Sequence, residues 1–194
     1  MDLGIAGRTA LVTGASSGLG LACAQALAAD GVRVALAARS HERLAAAAQA
    51  VDGEPVTITT DLSRPEQIDD LVSAALDALG DIDILIANAG GPPPGNFAST
   101  GLDAYPDALQ LNLLSTVALC KALIPPMQRR GWGRVVAITS VSVRQPIDQL
   151  ILSNTARAGL TAFLKTTATE VAPDGVTVNT VQPGLHATAR LGQL

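Results

Sequence analysis

The chain has 194 residues, 48% hydrophobic, 15% charged and 2% aromatic, with a net charge of −4. That length favours one domain, 1–194, with a sizeable core, and the balance excludes a disordered chain. The acidic charge, without a Lys/Arg run, argues against a nucleic-acid surface.

Cys23 and Cys120 sit in apolar helical patterns with no CxxC or Cys/His partner, so no metal site is expected and both read as small buried hydrophobes. A reducing cytoplasm suits such thiols. The opening MDLGIAGRTA has no signal-peptide pattern, and no uninterrupted apolar run of about 18 residues suggests a membrane span.

Short β-branched runs alternate with longer helical patterns. Thr9–Thr13 reads as a strand, Leu19–Ala29 as a helix closed by Asp30-Gly31, Val32–Ala37 as a strand, and Glu42–Val51 as an Ala-rich helix. Val56–Thr60 follows as a third strand. Ser63 is placed to cap the next helix, with Pro65 in its first turn and Glu66 at the capping-box position, and that helix runs to Leu79. Asp83–Ala87 is a fourth strand, and the Gly/Pro-rich 90–101 is a loop. A long helix from Leu102 to about Leu123 is expected to stop near Pro125-Pro126. Arg134–Thr139, a helix over Gln149–Val171, and the strand Val176–Val181 complete the series. This alternation predicts an α/β fold: a Rossmann-type, doubly wound parallel sheet in three layers, with strand order 3-2-1-4-5-6 and a ligand crevice where the order reverses.

Thr13-Gly14-Ala15-Ser16-Ser17-Gly18-Leu19-Gly20 lies between the first strand and its helix. Glycines there let the backbone approach a diphosphate, and the helix N-terminus presents N–H groups to it. Ser16 and Ser17 add hydroxyls. At the end of the second strand stands Ala38, followed by Arg39-Ser40. A carboxylate would select the ribose 2′-hydroxyl of NAD; an arginine pairs with a 2′-phosphate, so NADP(H) is expected over NAD(H).

The glycine spacing, with further matches in order along nearly the whole chain, resembles the short-chain dehydrogenase/reductase family. The resemblance implies that Asp61-Leu62 contact adenine and that Asn88-Ala89-Gly90 form the turn after the fourth strand, with Ala87 where the family usually has another Asn. It implies that Pro183-Gly184 lie near nicotinamide and that Thr188 makes a carboxamide or pyrophosphate contact. It also implies a catalytic tetrad of Asn, Ser, Tyr and Lys acting on a small carbonyl or alcohol substrate, as in 3-oxoacyl reductases. Asn112 and Ser140 match the first two.

Thirteen residues after Ser140, where the Tyr-x-x-x-Lys motif is expected, the sequence reads Ser153-Asn154-Thr155-Ala156-Arg157. The four-residue spacing survives on one helix face, but the chemistry changes. A serine hydroxyl is shorter and far less acidic than a phenol. An arginine stays protonated, so Arg157 is expected to bind ribose or stabilise a developing alkoxide rather than shuttle a proton. Tyr105 and His186 are the other candidate acids, weaker on position, and Arg144 or Asp148 could shape a substrate pocket. A non-catalytic nucleotide binder, or a truncated inactive fragment, is the alternative function.

Family members usually continue well past the Pro-Gly turn, adding a helical lid and a seventh strand; this sequence ends at Leu194. The last strand is therefore expected to expose an edge, for which assembly into a homo-oligomer is one remedy.

Overall fold

In the computed structural model, which describes residues 2–184 and 186, six strands form one parallel sheet. They are β1 (Thr9–Thr13), β2 (Arg33–Ala38), β3 (Val56–Thr59), β4 (Ile84–Ala87), β5 (Gly133–Ile138) and β6 (Val176–Val181). Their order is β3-β2-β1-β4-β5-β6, as expected.

Alternation along each strand builds the three layers. Leu11, Ala35, Ala37, Leu85, Ala87, Val135 and Ala137 face one apolar cluster. That cluster is covered by α3 (Glu66–Leu79), α5 (Ser115–Arg129) and α6 (Ile151–Val171). Ala10, Val12, Val34, Leu36, Ile84, Ile86 and Ile138 face the other, covered by α1 (Gly18–Ala29) and α2 (His41–Ala48). Small apolar side chains on both faces let helices pack closely on the sheet. Cys120 lies in the first cluster, where burial pushes its thiol up to about 12.

Five local expectations are corrected. First, the helix does not stop at Pro125-Pro126: α5 runs through both to Arg129. Losing two N–H donors costs about 3 kcal/mol or more. Burying Leu123, Ile124 and Met127 offsets this at roughly 1.5–3 kcal/mol each. Pro125 and Lys121 are exposed and Pro126 and Ala122 half-buried, so water can reach carbonyls left without an intrahelical donor.

Second, the long helix is not uniform. A 3-10 turn over Leu102–Ala104 precedes α4 (Tyr105–Leu109), and a π-helical stretch, Gln110–Leu114, separates α4 from α5. Third, Ser63 does not cap α3. Its N–H and hydroxyl both donate to Asp61 Oδ1, at 3.0 and 2.8 Å, and Pro65 occupies the cap position. Fourth, Gln149 lies outside α6 with φ 64. Its carbonyl is taken by the Gly95 N–H at 2.7 Å, and such a backbone costs a non-glycine residue about 1–3 kcal/mol. α2 also ends at Ala48 rather than Val51.

The helical stretch Leu102–Arg129 contains a segment long and apolar enough to cross a membrane, a test that buried core helices also pass. Its Leu119, Cys120, Leu123, Ile124 and Met127 are packed against the sheet.

Candidate functional site

The crevice opens where β1 and β4 part toward opposite sides of the sheet. At its floor Thr13 and Asn88 bind each other: the Thr13 hydroxyl donates to the Asn88 carbonyl at 2.8 Å and accepts its N–H at 2.9 Å. The Asn88 amide donates to the Gly14 carbonyl at 3.2 Å. A side chain at Gly14, where φ is 58, would put its Cβ 2.6 Å from Asn88 Nδ2 and 2.8 Å from Asn88 O. A Cβ at Gly20 would strike the Gly14 carbonyl. These glycines are therefore required by the close packing of the turn on itself and on Asn88.

Above the floor, Gly18 is exposed and Ser16, Ser17 and Leu19 are half-buried at the start of α1. The first turn of α1 carries no acidic residue and its N-cap, Ser17, makes no side-chain cap hydrogen bond, so its N–H groups are not taken by a capping carboxylate or hydroxyl. That is the geometry that attracts a diphosphate.

Beside the turn, Arg39 is exposed and Ser40 caps α2, its hydroxyl oxygen accepting the Arg43 N–H at 3.2 Å. The Arg43 guanidinium reaches back and donates to Ser17 Oγ at 3.0 Å. Sequence reasoning does not single out Arg43, although a signal for it exists. It stands three residues after the cap, and helical side chains lean toward the N-terminus, here toward the glycine turn.

Asp61 lies at the end of β3. Burial alone would raise its carboxyl; the Ser63 N–H and hydroxyl, with the Arg39 and Arg64 guanidiniums, outweigh that and hold it below the usual range. Leu62 packs its side chain into the core, so toward the crevice it offers backbone.

On the other side, Asn112 lies buried in the π-helical stretch and donates to the Gly90 carbonyl at 2.7 Å. Its own Oδ1 is buried without a partner. π-turns often occur at functional sites, and nothing in the amino-acid order marks this one. Ser140, half-buried just past β5, accepts the Ser142 N–H at 3.1 Å. The Pro183 carbonyl accepts the Val141 N–H at 2.9 Å, which seats the Pro183-Gly184 turn against it.

Ser153 and Arg157 are each 8% exposed. Arg157 Nη1 donates to the carbonyls of Ile138 at 2.8 Å and Thr139 at 3.2 Å. Its Nη2 donates to the Ala89 carbonyl at 3.3 Å and its Nε to Ser153 Oγ at 3.3 Å. The guanidinium thus grips backbone at the strand ends. His186 is exposed, with Nδ1 3.1 Å from the Gly184 carbonyl, and Tyr105 begins α4. Thr188 lies outside the described residues.

A cleft of about 200 Å³ opens between the two loops beyond β4 and β5, lined by Phe97, Ile147, Asp148, Gln149, Ile151 and Asn154 among others. Backbone hydrogen bonds from Gly95 N to Gln149 O, 2.7 Å, and from Ile151 N to Gly95 O, 3.1 Å, clip the loops together. Asp148 lines this cleft, whereas Arg144 instead donates to Gln182 Oε1 at 3.0 Å.

A profile of the short chain dehydrogenase family matches residues 8–194. The chain belongs to that family. Dehydrogenase/reductase SDR family member 4 of Sus scrofa is 33% identical over 185 residues, covering 93% of this chain and 66% of that protein. Ketoacyl reductase HetN of a Nostoc species is 35% identical over 183 residues, covering 93% of this chain and 64% of that protein. The chain therefore spans less than two thirds of either relative. The L-sorbose reductase of Gluconobacter frateurii, solved with NADPH and L-sorbose, superposes with a TM-score of 0.93 at 34% identity, covering 97% of this chain and 73% of that one. The sheet and its crevice are those of the family fold, and Ser153 and Arg157 lie buried on α6 beside it.

Proposed function

We propose that this chain binds NADP(H), with NAD(H) the weaker ligand, and acts as an oxidoreductase on a small ketone or secondary alcohol, in the manner of a 3-oxoacyl reductase. The observation that carries the reading is the glycine turn opening onto the start of α1, with Arg39 and Arg43 flanking it. The start of α1, with no acidic residue in its first turn and no side-chain cap on its N–H groups, fits a diphosphate. NADPH in the L-sorbose reductase, a relative of the same fold, supports the choice of cofactor.

In this reading the N–H groups of Gly18, Leu19 and Gly20, with the hydroxyls of Ser16 and Ser17, hold the diphosphate. Arg39, Arg43 and Ser40 hold the 2′-phosphate through charge-assisted hydrogen bonds. Asp61 and the Leu62 backbone bound the adenine, and Asn88, Ala89, Gly90, Pro183 and Gly184 flank the nicotinamide. When bound, the nicotinamide supplies or accepts the hydride.

Ser140 Oγ already accepts an N–H, so its own proton is left to donate to a substrate oxygen. Ser153 is in the same state toward Arg157, but an aliphatic hydroxyl is a weak acid. Proton supply then falls to water entering the crevice, and turnover is slow beside a tyrosine-bearing relative, for which a placed general acid contributes about 10²–10⁴-fold.

A fluorescence titration with NADPH and NADH, followed by NADPH absorbance with a panel of ketones and quinones, tests this. NADPH is expected to bind at least about tenfold tighter than NADH. Failure to bind either nucleotide removes the reading. The Ser153–Arg157 pair favours one second reading, a dinucleotide-binding relative without catalysis. Tight NADPH binding with no turnover across the panel selects it.

We also place the protein in the cytoplasm, which suits the free thiols of Cys23 and Cys120. We expect a homo-oligomer, testable by size-exclusion chromatography with light scattering.

A further inference from the structure

We propose that Arg157 is a positioning residue that sets the nicotinamide half of the crevice from behind, by holding the ends of β4 and β5, rather than a group that contacts the cofactor. The proposal rests on the dinucleotide-binding reading above.

The β4–β5 pairing runs only as far as Ala87 and Ala137, and past that pair the two chains enter the crevice walls. Arg157 spans this region. Its Nη1 takes the carbonyls of Ile138 and Thr139, the two residues before Ser140, and its Nη2 takes the carbonyl of Ala89, the middle of the turn after β4. The same turn is held on its next residue by Asn112, which donates to the Gly90 carbonyl at 2.7 Å. Arg157 and Asn112 therefore fix Ala89-Gly90 together, and Arg157 also fixes the approach to Ser140.

Only a planar fork suits this task. A guanidinium carries five donors in fixed directions, whereas a lysine ammonium is a single compact point that cannot reach acceptors on β4, β5 and α6 at once with the same geometry. Ser153 completes the seat by accepting the Nε–H at 3.3 Å. The replacement of Tyr and Lys by Ser and Arg thus exchanges a proton-transfer pair for a backbone clamp. The adenosine half is held separately, by the start of α1 and the Arg43–Ser17 contact, neither of which involves the guanidinium of Arg157.

That separation gives the test. The parent, Arg157→Met and Arg157→Lys are titrated with NADPH and with adenosine 2′,5′-bisphosphate, which fills the adenosine half alone. The expected result is bisphosphate affinity within about twofold of the parent in both variants, with NADPH weakened about tenfold or more in Arg157→Met and less in Arg157→Lys. Parallel losses for both ligands, or unchanged NADPH affinity, overturn the proposal. If Arg157→Met does not fold, Arg157→Lys decides on the same two ligands: a loss confined to NADPH supports the clamp, and an equal or absent loss rejects it. A parent that binds neither ligand instead overturns the functional reading itself, which keeps the two failures distinct.

Discussion

The two walls of the crevice are made from the same parts, a strand end, a turn and a helix, yet they treat their polar groups differently. On the β1–β2 wall the donors are left for a visitor: the first turn of α1 has no acidic residue and no side-chain cap, and Arg39 stands exposed. On the β5–α6 wall the strongest donor is turned inward, with Arg157 bonded to three backbone carbonyls and a serine. The difference teaches that two walls of one fold can turn the same kind of donor in opposite directions, one toward the crevice and one into the backbone. An arginine placed where a lysine is expected keeps the charge and changes what the charge touches.

The sharpest way to break the first wall is Gly14→Val. It combines a positive φ with a Cβ placed 2.6 Å from Asn88 Nδ2, a cost of at least about 3 kcal/mol. NADPH affinity is expected to fall by about 100-fold or more, read by fluorescence titration, together with a lowered melting temperature. Parent-like binding in this variant would show that the turn is not the anchor.

On the second wall, Arg157→Met leaves three backbone carbonyls short of a donor, at a cost of about 3 kcal/mol or more. For a chain of this size that is a fall of roughly 6–12 °C in melting temperature, measured by differential scanning calorimetry. A change of under about 2 °C would mean that the clamp carries little of the fold's stability.

Arg39→Ala and Arg43→Ala probe selectivity on the first wall. Each is expected to weaken NADPH about tenfold and to leave NADH within about twofold, because only the former has a 2′-phosphate to lose. Equal losses for both nucleotides would place the arginines elsewhere than at that phosphate.

The smallest effect belongs to Asp61, whose carboxyl is held below its ordinary value of 3.8 by Ser63, Arg39 and Arg64 against the opposing effect of burial. A depressed carboxylate stabilises the fold above its ordinary value, and that contribution disappears as the pH falls through the folded value. Asp61 is only half-buried, so solvent screens its charge partners, and Asp61→Asn is expected to cost under about 0.5 kcal/mol at neutral pH in urea unfolding, with the difference vanishing in acid. A larger cost that persists below pH 3.8 would assign Asp61 a role other than its charge.

Much of the fold is legible in the order of the amino acids. β1 falls at Thr9–Thr13 because a strand buried on both faces is a nearly continuous apolar stretch, and β6 falls at Val176–Val181 because an edge strand buried on one face alternates Val with polar residues. The glycine turn is legible because its spacing answers to one backbone geometry. Pro125-Pro126 misleads because local propensity says stop, while burial of Leu123, Ile124 and Met127 says continue, and burial is the stronger of the two effects. Ser63 misleads because its hydroxyl has two possible partners and bonds to Asp61, and order along the chain does not rank them.

What the amino-acid order determined by itself was the alternation of strands and helices, hence the sheet order, and the glycine turn at the start of α1. Where the guanidinium of Arg157 points was decided only in the folded chain, because its partners Ala89, Ile138 and Thr139 come from strand ends distant in sequence. The reach of Arg43 to Ser17 and the strained backbone of Gln149 against Gly95 were decided there too. Such contacts depend on distance and direction between segments, and those are fixed when the layers pack.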